Sequence, residues 1–79
     1  MDWRERIVCD PKILMGRPMV KGTRISVELM LGWLSVGWSI DQLLEAYPNV
    51  AHDDVLAAFA YAHELLQNAG FVPLAEAVD

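Results

Sequence analysis

The run Gly16-Arg17-Pro18-Met19-Val20-Lys21-Gly22-Thr23-Arg24 gathers three cations, two glycines and a hydroxyl within nine residues, the composition of a loop that meets an anion. A nucleotide phosphate loop needs glycine, four residues, then glycine, lysine and Ser or Thr leading into a helix. Here Lys21 precedes Gly22, and Pro18 removes a backbone donor that a phosphate cradle uses. The order is wrong for that chemistry. Asp53 and Asp54 are adjacent, so on a helix their side chains diverge by about 100° and do not form a catalytic carboxylate pair. They read as solvated acids favouring the positive end of a helix dipole. His52 and His63 fall near one helical face but roughly 16 Å apart along the axis, too far to share a metal ion. Cys9 is the single cysteine, with no second thiolate for zinc and no disulfide partner, and is expected to be a small buried hydrophobe. Ser26 and Ser39 read as helix caps, and nothing marks Thr23 or Ser35 as a nucleophile. The sequence therefore assigns no catalytic residue, cofactor or metal, and the chain reads as non-enzymatic.

What remains is charge. All six bases (Arg4, Arg6, Lys12, Arg17, Lys21 and Arg24) lie in the first 24 residues against three acids, whereas residues 25–79 carry eight acids and no base. One reading of the basic run is a solvated turn whose Gly and Pro fix a backbone path. The other is a rigid cationic element, with Arg17, Lys21, Thr23 and Arg24 as candidate contact residues, docking on DNA phosphates or on an acidic protein surface.

The elements that must position this run follow from its punctuation. Pro11, Gly16 and Pro18 stop any helix before its nucleus completes, leaving short extended pieces at Ile7–Cys9 and Met19–Val20 as candidates for an irregular hairpin, with Gly22 supplying a sharp turn. Ser26 caps a helix from Val27 to Val36, ended by Gly37, whose apolar residues cover so much of its circumference that it should be buried nearly all round. Ser39 and Gln42 have capping-box spacing for a helix of about two turns that stops before Pro48. A third helix is expected from about His52 to Asn68, closed by Gly70, with an apolar stripe of Val55, Phe59, Ala62 and Leu66 and a polar face of Asp53, Tyr61, Glu64 and Asn68. The outline is a mainly α, three-helix helix-turn-helix domain preceded by a short irregular β segment or hairpin.

A chain of 79 residues reads as one domain: a basic segment and loop over 1–25, a three-helix core over 26–70 and a tail over 71–79. At this size folding buries roughly 60–65% of the unfolded surface, so an isolated monomer is marginal. With 54% apolar residues and three tryptophans, a homodimer or higher oligomer, or a heterocomplex, is the expectation. The N-terminus lacks the apolar region of a signal peptide and no apolar run approaches the ~20 residues of a membrane span, so a cytoplasmic protein without membrane contact is expected.

The stretch DPKILMGRPMVKGTRISVELMLGWLSVGWSIDQLLEAYPNV, followed by DDVLAAFAYA, resembles the prokaryotic domain of unknown function 433. Gly16, Pro18, Lys21, Gly22, Thr23 and Arg24 match its signature loop, and Gly37, Trp38 and Ser39 with Tyr47 and Pro48 match its later motifs. The resemblance implies a helix-turn-helix, homeodomain-like fold and an antitoxin of a type II toxin–antitoxin pair, partnered by a PIN-like nuclease toxin. It carries no established active site. Where relatives have Thr or Ser before the third helix, this chain has Ala51, a loss of ~1 kcal/mol unless another group compensates.

Three functions stand after this reading. The first is a non-enzymatic antitoxin-like protein that neutralises a PIN-like toxin through its basic loop and apolar surface. The second is a dimeric DNA-binding transcriptional regulator, for which the third helix carries no Arg or Lys, so that the N-terminal segment would have to meet the phosphates. The third is an oligomerisation or scaffold module built on the helix that contains Trp33.

Overall fold

The structure is a computed structural model that describes residues 2–69. A one-turn 3-10 segment, Trp3–Glu5, leads into strand β1, Ile7–Val8. The chain then loops out to strand β2, Met19–Val20, which returns antiparallel to β1 with Ile7 opposite Val20 and Val8 opposite Met19. Helices α1 (Val27–Ser35), α2 (Ile40–Ala46) and α3 (His52–Gln67) follow. The molecule is mainly α, with a small antiparallel pairing ahead of three helices, as the punctuation predicts.

Each helix starts where its capping chemistry dictates. Ser26 Oγ accepts from the Leu29 N–H at 3.0 Å. Ser39 Oγ accepts from Gln42 N–H at 3.1 Å while Gln42 Oε1 accepts from Ser39 N–H at 2.8 Å, a complete capping box. At Ala51 the hydroxyl half of the box is missing, and the expected deficit is partly offset from the other side: Asp54 Oδ2 accepts from the Ala51 N–H at 2.8 Å. The α1–α2 turn depends on Gly37 at φ +106°, a conformation that a Cβ disfavours strongly. Beyond it Trp38 stacks on Trp33, with centroids 4.2 Å apart, and the Trp33 indole N–H donates to the Tyr47 hydroxyl at 3.1 Å. Gly37, Trp38, Ser39 and Tyr47 are thus parts of one aromatic brace, with Pro48 just after it, that sets α2 against α1.

The core takes one large, fully enclosed side chain from each helix, Met30, Leu43 and Val55, and adds Ala57 and Ala58 from α3 and Val20 and Ile7 from the strands. Two burial expectations are corrected. On α3 the buried face is Asp54, Val55, Ala57 and Ala58, whereas Phe59 is 42% and Leu66 58% exposed. Alanines decide this. With no bulk beyond Cβ they let the N-terminal segment approach closely, and Tyr61, expected on the polar face, turns inward so that Trp3 meets it edge-on at 4.9 Å. Helix α1 is not buried all round either, for Leu29, Gly32, Ser35 and Val36 all face out. Helices α2 and α3 together cover only one side of it. The expected Gly70 cap and the tail over 71–79 lie outside the described residues.

Candidate partner-binding site

The signature run folds as a hairpin that extends the sheet into α1. Pro18 C=O accepts from Val27 N–H at 2.9 Å and Ile25 C=O from Val20 N–H at 2.9 Å, closing a loop over Val20–Ile25. Within it Thr23 N–H donates to Val20 C=O at 3.0 Å, and Gly22, at φ +81°, occupies the third position of that turn, where positive φ is required in a type II geometry. The Thr23 hydroxyl donates to Val20 C=O at 2.8 Å and accepts from Ile25 N–H at 3.0 Å. Thr23 therefore fixes the turn, with its one hydroxyl donor in use inside the loop.

The cations of this run are separated by the fold. Lys21, whose N–H is held by Arg6 C=O at 2.8 Å, lines a shallow polar depression with Glu5, Arg6 and Asp54. Arg24 lines two others. One, of about 670 Å³, also takes Cys9, Asp10, Ile13, Met19 and Thr23. The other, of about 390 Å³, brings Arg24 together with Arg17, Leu14, Ser26 and Leu29. Arg17 and Arg24 thus share a surface that Lys21 does not line. Cys9, expected to be buried, is exposed at this edge, because β1 ends at Val8 and leaves it in the loop.

Between the strands the chain does something no periodicity foretells. Leu14, Met15 and Gly16 adopt three successive left-handed conformations, with φ of +51°, +57° and +81°. For L-residues such a conformation costs roughly 1–2 kcal/mol each. The tip so formed carries Met15 at 90% exposure, the most exposed large apolar side chain among the described residues. Leu14 at its base lines the same depression as Arg17 and Arg24. No motif marks this feature in the sequence. A Leu-Met-Gly triplet would hint only at a single glycine turn.

The charge asymmetry of the sequence is answered in part inside the molecule. Arg4 reaches Glu64 Oε2 at 2.9 Å, and Arg6 bonds Asp54 Oδ1 at 3.1 Å and approaches Asp53 at 3.6 Å. Asp54, read as solvated, is instead 8% exposed, drawn inward by its bonds to Arg6 and Ala51. Arg4 also lies over the Trp3 ring at 4.4 Å, and Arg17 pairs with Glu28 at 3.5 Å. Lys12, Lys21 and Arg24 form no ion pair among the described residues. Asp2, capping the first turn, is held below its usual carboxylate range chiefly by the Arg4 backbone N–H. Among the described residues no cluster of His, Cys, Asp and Glu could hold a metal, and no helix is long and apolar enough to cross a membrane.

Comparison with known proteins agrees with this framework. A curated relative, the uncharacterized protein y4eO of Sinorhizobium fredii, is 36% identical over 59 residues, which cover 75% of this chain and 27% of that protein. The chain therefore matches only about a quarter of that relative's length. A crystal structure of a DUF433 member protein from Anabaena variabilis superposes with a TM-score of 0.72 at 27% identity, covering 75% of this chain and 58% of that one. The family model described as protein of unknown function (DUF433) matches residues 7–62, from β1 through most of α3 and including the hairpin, the left-handed tip and the aromatic brace, and on that match the chain belongs to the DUF433 family.

Proposed function

We propose that this protein is a non-enzymatic, antitoxin-like partner that binds an acidic, PIN-like nuclease toxin through the surface formed by Met15, Arg17 and Arg24. One observation carries the reading: an apolar side chain is held almost fully exposed on a strained tip whose base, Leu14, shares a depression with Arg17 and with Arg24, which forms no ion pair among the described residues. Strain of this kind persists only where the surrounding structure enforces it, and it gathers at binding sites. The hairpin below is hydrogen-bonded throughout, so little ordering entropy is lost on binding. An acidic, metal-holding cleft in the partner would receive Arg24 in place of its cation, with Met15 entering an apolar recess alongside.

The test is neutralisation of the toxin in co-expression, with affinity measured by calorimetry. Arg24→Glu and Met15→Asp should each abolish protection of growth, while Lys21→Glu, on a different depression, should weaken it far less. Full protection by the Arg24 and Met15 variants would sink the proposal, and loss confined to Lys21→Glu would move the contact to the Glu5–Asp54 side.

A DNA-binding regulator is the second reading. It is favoured by three cations, Lys12, Lys21 and Arg24, that form no ion pair among the described residues and by α2 and α3 succeeding each other across the short Tyr47–Ala51 turn. Against it, α3 presents the exposed Asp53 at its start and carries no Arg or Lys along its length. A regulator of this kind must touch phosphates through the N-terminal loop, and its affinity must fall steeply with salt. Affinity that stays flat from low to moderate salt would exclude it.

A further inference from the structure

Between α1 and α3 the fold leaves an apolar groove of about 410 Å³, walled by Val27 and Leu31 on one side and by Tyr61, Ala62 and Leu65 on the other, with Pro18 from the hairpin. Its charged lining groups, Arg17 and Glu28, pair with each other at 3.5 Å, so the walls between are uncharged. Leu65 is left 57% exposed. What lies nearest to this groove along the chain is its own continuation. Ala62, Leu65 and Ala69 recur at i, i+3 and i+7, and the Ala69 N–H still donates to Leu66 C=O at 3.3 Å, so the chain leaves α3 along the stripe that walls the groove. Residues 70–79 follow, and the first six of them, Gly-Phe-Val-Pro-Leu-Ala, carry no charge. Pro73 has no N–H to donate and its ring clashes with the carbonyl four residues earlier, that of Ala69, so the sequence does not let α3 run on through it. Gly70 supplies the reversal that a helix end calls for.

We propose that residues 70–75 of the same chain fold back across this groove, anchored by Phe71 and Leu74, the two largest apolar side chains of the segment. Reach is sufficient. From Ala69 back to Tyr61 is about 12 Å of helix track at 1.5 Å per residue, whereas six residues of extended chain span about 20 Å. Position favours the chain's own segment over any other occupant. A segment tethered a few residues away is present at an effective concentration in the millimolar range, which a second copy at micromolar concentration or a separate partner must exceed. Composition agrees, because an uncharged run meets uncharged walls, and the first charge of the segment, Glu76, comes only after that run. Neither Met15 nor Arg24 lines the groove, so the inference does not rest on the toxin-binding reading.

Solution NMR of the full chain tests this. In the wild type the Phe71 ring and the Leu74 methyls should give NOE contacts with Leu31, Ala62 and Leu65, and backbone order parameters over residues 71–74 should stand near the rigid value of about 0.85. Leu74→Glu should abolish those contacts, the ones from Phe71 included, and drop the order parameters below about 0.6, with the signals of the buried Met30 and Leu43 unmoved. Leu65→Ser, at a position more than half exposed, should do the same from the groove side. A mixed sample of differently isotope-labelled chains separates the two sources of such contacts: contacts within one chain support the proposal, and contacts only between chains overturn it in favour of exchange between copies. Order parameters below about 0.6 in the wild type, or contacts of Phe71 and Leu74 that fall instead on Phe59 of α3 or Val36 of α1, would equally overturn it.

Discussion

Replacing Asp54 by Ala should destabilise the fold far more than replacing its neighbour Asp53, and the margin follows from what each carboxylate touches. Asp54 joins two distant pieces of chain: one oxygen accepts from Arg6 at 3.1 Å, and the other from the Ala51 N–H at 2.8 Å, at the start of α3. Its side chain is 11% exposed against 36% for Arg6. A hydrogen bond to a charged group contributes roughly 1.5–3 kcal/mol and a helix cap about 0.5–2 kcal/mol. Those values must be discounted here. Arg6 can rehydrate and retains Asp53 at 3.6 Å, and Ala51 is exposed, so its N–H can turn to water. A loss of about 2–3 kcal/mol is expected, and at about 4–8 °C per kcal/mol for a domain of this size the thermal midpoint should fall by roughly 10–20 °C. Asp53 is 58% exposed and makes only long contacts, to Arg6 at 3.6 Å and to His52 at 3.9 Å, so Asp53→Ala should stay within about 0.5 kcal/mol. Urea unfolding monitored by tryptophan fluorescence measures both. A cycle of Arg6→Met, Asp54→Ala and the double variant should show a coupling of about 1–2 kcal/mol. If Asp54→Ala loses less than about 0.5 kcal/mol, or the cycle is additive, the N-terminal segment is not latched to α3 by this pair.

Thr23→Val should lower stability by about 1–2 kcal/mol in the same assay, because Ile25 N–H loses its acceptor, while Thr23→Ser should be nearly neutral; intact stability with weakened partner binding would instead make Thr23 a contact residue. Met15→Asn relieves part of the left-handed strain and should raise stability by a few tenths to about 1 kcal/mol while impairing toxin neutralisation, and an unchanged interaction would remove Met15 from the surface. Gly37→Ala, at φ +106°, should destabilise by about 1–2 kcal/mol or more, and a neutral result in thermal unfolding would show that the α1–α2 turn relaxes freely. The Asp2 carboxyl should titrate by NMR below its ordinary value of 3.8. Because its folded pKa is depressed, the stabilisation of the first turn is present above the unfolded value and is lost as pH falls through the lower folded one, and a titration at or above 3.8 would contradict the cap.

Much of this molecule is set by local chemistry and so is readable along the chain. Ser26, Ser39 and Gln42 cap where they stand because a cap needs only the next three residues. Gly22 and Gly37 turn the backbone for a reason internal to each residue, and Pro48 follows the last turn of α2 for the same kind of reason. Other features depend on residues far apart in sequence. Which face of α3 is buried could not be read from its period alone, since Val55, Ala58 and Tyr61 compete with Leu56, Phe59 and Leu66; the choice fell to the approach of Trp3 and β1 against Ala57 and Ala58. Asp54 looked like an ordinary first-turn acid until Arg6, 48 residues away, reached it. The basic run was visible as composition. Only the hairpin decided that Thr23 is bound internally, that Lys21 parts from Arg24, and that Arg24 joins Arg17 near the base of the strained Met15 tip. Left-handed leucine and methionine have no local cause, so no local pattern announces them; they are held by the ends of a loop that β1 and β2 bring together.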